Sequence, residues 1–184
     1  MAEPDDLELV RQAQQGKEPA FEALVERYKN RVFGLIVRTL GDRQAADDLA
    51  QEVFLRIYRA LPYFRGDARF STWVYRIVVN LCYQARKQQP IREVPLDARA
   101  DDNWPRHELR ARDTAVDDLE VRDRLEKALA ELPVNYRLLI AGHYLEGIGY
   151  EDLAEAMKLP LGTVKTQLHR AKQRLRQVLQ TRLA

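Results

Sequence analysis

Apolar side chains in this sequence return every three or four residues and almost never every two, a spacing that commits the chain to helices. Phe21, Leu24, Val25, Tyr28, Val32 and Ile36 share one face of a segment that starts at Pro19 and ends at Leu40, just before Gly41. Proline in a first turn and glycine just past a last one are the expected punctuation of a helix. Leu49, Val53, Phe54, Ile57 and Leu61 make the next stripe, with Asp42 placed to cap it and Pro62 to end it. A short helix is predicted from Asp6 to Gln15, before Gly16, and a fourth from about Ser71 to Gln89, before Pro90. Helical spacing returns near Val116 with Leu119, Leu125, Leu129 and Leu132, then over Asn135–Leu145, Tyr150 to about Met157 and Gly162 to about Leu183. No convincing strand alternation and no internal repeat is present.

Between these two blocks the periodicity fails. Pro90, Pro95 and Pro105 bracket the run DARADDN, and the stretch 91–115 is longer than a compact domain usually tolerates in a loop. The fold class that follows is all-α: two small helical domains joined by a flexible linker, residues 1–90 and 116–184, with 91–115 between them. Each half is small, so each is expected to have a modest core and to move relative to the other.

The net charge of +2 hides an uneven distribution. From Lys158 to the C-terminus there are seven Lys and Arg and no acid, whereas Asp97 to Asp123 holds nine acids against five Arg. A basic end on a nearly neutral chain points to polyanion binding by that part. No apolar run approaches the roughly 18 residues of a membrane span. The start, MAEPDDLELV, is acidic where a signal peptide would be basic and then apolar, so a cytoplasmic protein without membrane insertion is expected. One cysteine, Cys82, and three scattered histidines leave no disulfide framework and no Cys/His metal cluster, and neither a metal nor a cofactor is expected.

The segment YEDLAEAMKLPLGTVKTQLHRAKQRLR has a tight connection at Lys158–Leu161 between two amphipathic stretches. Leu153, Ala154 and Met157 face Val164, Leu168, Ala171 and Leu175, the pattern of a helix-turn-helix whose second helix can enter a major groove. Thr163, Lys165, Thr166, Gln167, His169, Arg170 and Lys172 lie away from that stripe and offer phosphate-seeking cations and base-edge donors and acceptors. The competing reading is an ordinary basic amphipathic hairpin.

In PYFRGDARFSTWVYRIVVN, the aromatics Tyr63, Phe64, Phe70, Trp73 and Tyr75 are interleaved with Arg65, Arg69 and Arg76. Aromatic rings beside cations suit unpaired bases, because every base has a π-face and every nucleotide a phosphate. Phe70, Trp73, Ile77 and Leu81 also fit a core stripe, so Trp73 is as easily packing as DNA contact, whereas Phe64 and Asn80 are harder to explain that way. In DDLAQEVFLRIYRAL a polar row of Asp47, Asp48, Gln51, Glu52 and Arg56 lies opposite the apolar stripe. Such a row is more often a solvated helix face than a partner site.

Two blocks then resemble a known family. GDRQAADDLAQEVFLRIYRALPYFRGDARFSTWVYRIVVN resembles region 2 of the bacterial extracytoplasmic-function (ECF) sigma factors, of the sigma-70 family, and LPVNYRLLIAGHYLEGIGYEDLAEAMKLPLGTVKTQLHRAKQRLR is similar to their region 4. The resemblance covers nearly everything but the linker, in the family's order and spacing. It implies a protein that binds RNA polymerase core and directs promoter-specific initiation. Residues 1–90 would hold the β′ clamp helices through Asp47, Asp48, Gln51, Glu52 and Arg56. They would melt and read the −10 element through Phe64, Arg65, Phe70, Trp73, Arg76 and Asn80. Residues 116–184 would read the −35 element as duplex through Thr163, Lys165, Thr166, Gln167, His169 and Arg170, and contact the β flap. The resemblance further implies an alternative, stress-responsive factor held by an anti-sigma protein, with the linker threading toward the polymerase cleft. Gly149-Tyr150 stands where many members carry Ser-Tyr, which puts the local helix cap in question. A stand-alone helix-turn-helix regulator accounts for the C-terminus but leaves the aromatic patch unexplained. An enzyme is disfavoured by the absence of a Walker loop, a dinucleotide-binding glycine pattern or HExxH, and Cys82 between Leu81 and Tyr83 reads as a packed small hydrophobe.

Overall fold

The computed structural model describes residues 4–87 and 118–181, the side chains of 87 and 118–122 excepted. The predicted linker 91–115, with its acids and His107, lies outside the described residues. Eight α-helices are present among those described: α1 Asp6–Gln14, α2 Glu18–Leu40, α3 Arg43–Ala60, α4 Phe70–Lys87, α5 Asp118–Ala130, α6 Val134–Ile140, α7 Tyr150–Met157 and α8 Leu161–Thr181. Their ends follow sequence punctuation. Asp5 Oδ1 accepts from the Glu8 amide at 2.7 Å, and Asp42 Oδ1 accepts from the Gln44 and Ala45 amides at 2.9 and 3.1 Å. Each satisfies backbone donors that a helix start leaves without partners. Gly41 ends α2 in the left-handed conformation, φ 75°, and returns its amide to the Val37 carbonyl.

In the first half, α2 is the central element, burying Leu24, Tyr28, Val32, Leu35 and Ile36 against α1, α3 and α4. In the second, α8 is the spine, packed by α5, α6 and α7 through Val164, Leu168, Ala171 and Val178. Leu153 and Met157 of α7 complete this second cluster, as the helix-turn-helix spacing predicts.

The two small helical domains also pack against one another. The buried residues of both halves form one continuous cluster, joined where α4 meets α7 and α2 meets α5 and α6. The reason lies in α4, which buries two faces and leaves only Asn80 and Gln84 of its side chains exposed among those described. Phe70, Val74, Val78 and Leu81 are buried in the first half's core. Along another side Thr72, Tyr75, Arg76 and Tyr83 all reach the second half.

A departure concerns the helix predicted over Asn135–Leu145, which is α-helical only to Ile140 and continues as a π-helical turn, Ala141–Leu145. The Glu146 amide donates to Ala141 O and the Ile148 amide to Gly142 O, with left-handed Gly147 between them. Gly142 lies against the hydroxyl end of Tyr75: a Cβ there would stand 2.5 Å from Tyr75 Oη and 2.7 Å from Leu153 Cδ2. Only a residue without a side chain tolerates that approach.

Candidate polymerase and nucleic-acid interfaces

The polar face of α3 is exposed as predicted. Asp47, Asp48 and Gln51 project into solvent, and Glu52 and Arg56 pair one turn apart, Nε to Oε1 at 2.9 Å. What the sequence pattern did not single out is that Leu55 and Tyr58 stand exposed on the same face, 49% and 58%. Gln51, Glu52, Tyr58 and Arg59 lie three or four residues from Leu55 and therefore beside it. Leu55 is thus a large apolar residue exposed among charges, on the side of α3 away from the buried Val53 and Ile57. The available signal was Leu55 itself, which falls out of step with its own helix's apolar stripe.

The aromatic patch forms around the start of α4. Phe64 stacks edge-on to Phe70 at 5.6 Å and tilted against Trp73 at 5.1 Å, with Phe70 and Trp73 5.5 Å apart. Gln14 Nε2 donates to both the Leu61 and Phe64 carbonyls at 2.9 Å, tying this loop back to α1. The wall is thus a fixed platform rather than a loose tip. Phe70 is only 3% exposed and packs edge-on against Tyr28. This corrects its placement on the DNA-contacting surface: in this conformation it supports the wall from behind, because its position on α4 faces the core. Phe64 and Trp73 keep one side at the surface, and Arg65, Arg69 and Asn80 are exposed around them. Tyr63, absent from the predicted contact set, is the most exposed aromatic of the patch at 82%.

Arg76 is engaged within the protein. Both its terminal nitrogens donate to the Glu155 carboxylate on α7, and Asp152 Oδ1 lies 3.6 Å away, while its Nε is buried without an acceptor. Tyr75 Oη beside it donates to the Leu138 carbonyl at 2.8 Å, and burial raises its pKa far enough to keep the phenol a donor. Arg31 pairs with Glu146 at 2.7 Å, and Arg137 Nη1 donates to the Thr39 carbonyl at the end of α2 at 2.9 Å. Cationic groups at a helix C-terminus satisfy orphan carbonyls and offset the negative end of the dipole.

The turn between α7 and α8 places Lys158 in the left-handed conformation, φ 54°, and the Leu159 amide caps Ala154 O at 2.9 Å. Gly149 begins α7 with no side-chain cap, as its sequence departure suggested, and Glu151 and Asp152 in the first turn offset the positive end of the helix instead. On α8, Lys165 is exposed, with Nζ 6.0 Å from the Tyr150 ring centre. Thr163 and Arg170 are half-buried, and Thr166 Oγ1 donates back to Gly162 O. Gln167 Oε1 accepts from Asn135 Nδ2 at 3.1 Å, which leaves its own amide protons as the groups offered outward. His169 is half-buried, and its Nε2 is closed off from solvent without a hydrogen-bond partner. That nitrogen faces protein rather than the predicted DNA surface. Cys82 is fully buried, and burial pushes its thiol up to about 12, a packed neutral group rather than a reactive one.

An aromatic cluster beside the exposed Arg65 and Arg69 on one helical half and a basic helix-turn-helix on the other have the composition of a nucleic-acid-binding protein. The chain matches the models for sigma-70 region 2 over residues 24–90 and sigma-70 region 4 over residues 122–175. It is 36% identical to the RNA polymerase sigma-H factor of Pseudomonas aeruginosa, covering 98% of this chain and 96% of that protein. It is also 36% identical to the ECF RNA polymerase sigma-E factor of Haemophilus influenzae, covering 95% of each. The chain belongs to the ECF group of the sigma-70 family of RNA polymerase sigma factors. Its fold is shared with CnrH, solved in complex with the cytosolic domain of CnrY (TM-score 0.66, 22% identity, covering 96% of this chain and 97% of that one). It is shared too with RpoE of Bartonella quintana, solved with the anti-sigma factor NepR (TM-score 0.64, 23% identity, covering 87% and 96%). As a sigma factor it is a transcription initiation factor.

Proposed function

We propose that this sigma factor docks on core polymerase through the exposed face of α3, reads an unpaired −10 strand on the Phe64–Trp73 platform, and reads the −35 duplex with α8. The observation that carries the reading is the platform: aromatic rings fixed by Gln14 and Tyr28, with Arg65, Arg69 and Asn80 exposed around them. Stacking holds bases of any sequence, and the neighbouring cations and amide add phosphate and edge contacts. On α3, Asp47, Asp48, Gln51, Glu52 and Arg56 surround Leu55 and Tyr58, an apolar centre with a charged rim, as in protein–protein interfaces. On α8, Lys165, Thr166 and Arg170 supply backbone and base contacts, with Thr163 and Gln167 flanking them.

Neither surface needs to be strong alone, because polymerase holds the two at a set separation and tethering raises their effective concentration. Bond-making chemistry belongs to the polymerase, and strand separation is driven by binding energy. Among the described residues no helix is long and apolar enough to cross a membrane, and the protein works in the cytoplasm with the polymerase. Anti-sigma control is part of the reading, supported by the NepR complex of the structurally similar RpoE. The test is run-off transcription with purified core polymerase and a library of genomic promoters. Specific RNA starts are expected, and core polymerase that starts no chain on any template with this protein refutes the proposal.

A further inference from the structure

The contact at Arg76 has a consequence for when the −10 surface is open. Arg76 and Asn80 lie one turn apart on α4, on the face assigned above to the unpaired strand. In the folded chain the Arg76 guanidinium is held by both oxygens of Glu155, with Asp152 3.6 Å away and the Thr72 hydroxyl 3.5 Å from the same Asp152 carboxylate. A planar guanidinium gripped by two oxygens of one anion is the geometry in which arginine also takes a phosphate. Two carboxylates of α7 therefore occupy the cation that DNA would use. The mask covers only one of the two DNA surfaces: α7 meets α4, whereas the exposed Lys165 of α8 faces solvent. It is also held incompletely, since Arg76 Nε is buried with no acceptor, a penalty that opening relieves.

We propose that Asp152 and Glu155 act as an internal phosphate mimic, so that the chain folded on itself closes its own single-strand-binding face while leaving its duplex-binding helix available. Separation of the halves, as tethering on polymerase requires, frees Arg76 for the strand. The inference rests on the reading of α4 as the strand-binding face.

The test uses the full chain without polymerase, with fluorescence anisotropy on a labelled oligo(dT) strand and on a labelled mixed-sequence duplex at one salt concentration. Losing a bidentate, partly exposed ion pair together with its second carboxylate should raise strand affinity about five- to tenfold in Asp152→Asn/Glu155→Gln. Duplex affinity should change by less than about twofold, because the general charge effect on phosphate binding is small for two distant groups. The control Glu151→Gln, on the same helix but outside the Arg76 contact, should change neither. Adding Arg76→Ala to the double variant should remove the gain. No gain on the strand, an equal gain on both probes, or a gain shared by Glu151→Gln overturns the proposal. A gain that survives Arg76→Ala overturns it too, while leaving the platform's role intact. Failure of run-off transcription alongside the expected binding pattern would instead refute the sigma reading and leave the mask standing.

Discussion

Gly142→Ala offers the sharpest test of how the two halves meet. The added methyl would stand 2.5 Å from Tyr75 Oη, 2.7 Å from Tyr75 Cζ and 2.7 Å from Leu153 Cδ2. Leu153 presents the end of a flexible side chain and can yield a few tenths of an ångström. Tyr75 cannot move so easily, because it is buried and its hydroxyl is bonded to the Leu138 carbonyl. Overpacking of this kind destabilises by about 1–3 kcal/mol, which for a chain of this size lowers the melting temperature by roughly 2–12 °C. Tyr75→Leu alone removes a buried hydrogen bond and part of a ring, at about 2–3 kcal/mol. It also removes both Tyr75 atoms that the methyl would strike. The Gly142→Ala/Tyr75→Leu double variant should therefore lose less than the sum of the two singles, with a coupling of at least about 1 kcal/mol. Urea unfolding of the four proteins, followed by circular dichroism, supplies the cycle. Additivity within about 0.3 kcal/mol would mean that residues 75 and 142 do not touch in solution, and the packed arrangement of the halves would be refuted.

Lys165→Ala should weaken binding to −35 duplex about uniformly across sequences and make the slope of log affinity against log salt shallower by about one, as read by anisotropy titrations at several salt concentrations. Asp48→Lys should reduce competition for core polymerase while leaving duplex binding by α8 unchanged; undiminished competition removes α3 from the docking surface. Alkaline pH should destabilise the fold, because burial raises the thiol of Cys82 and the phenol of Tyr83 to about 12, and those of Tyr28 and Tyr75 in the same direction. Native groups that keep their protons longer than unfolded ones contribute stability present below the unfolded values, about 9 for the thiol and 10 for the phenols, and lost as pH rises toward about 12. Urea midpoints should hold steady up to about pH 9 and fall above it; a midpoint that rises there refutes the burial argument.

Much of the fold was legible because helices announce themselves locally. The caps at Asp42 and Gly41 and the buried stripes of α2 and α8 stand where spacing and punctuation predict them. The site was legible only in part. Residue type marked the aromatic–cationic patch and the basic helix, but not which rings face outward: Phe70 turned inward and Tyr63 outward. Leu55 was readable in principle as an apolar residue off its stripe.

What residue order alone decided is the inventory: all helices, a helix-turn-helix at the C-terminal end, and two surfaces with the chemistry of unpaired and paired DNA. These follow from contacts between residues three or four apart, which any stretch of chain carries within itself. The pairing of the halves was decided only in three dimensions. Arg76 with Glu155 and Tyr75 with Leu138 join residues 79 and 63 positions apart, and nothing in either segment's local pattern says which distant carboxylate or carbonyl will arrive. Long-range partners depend on how whole helices stack, and α4 had two faces to bury.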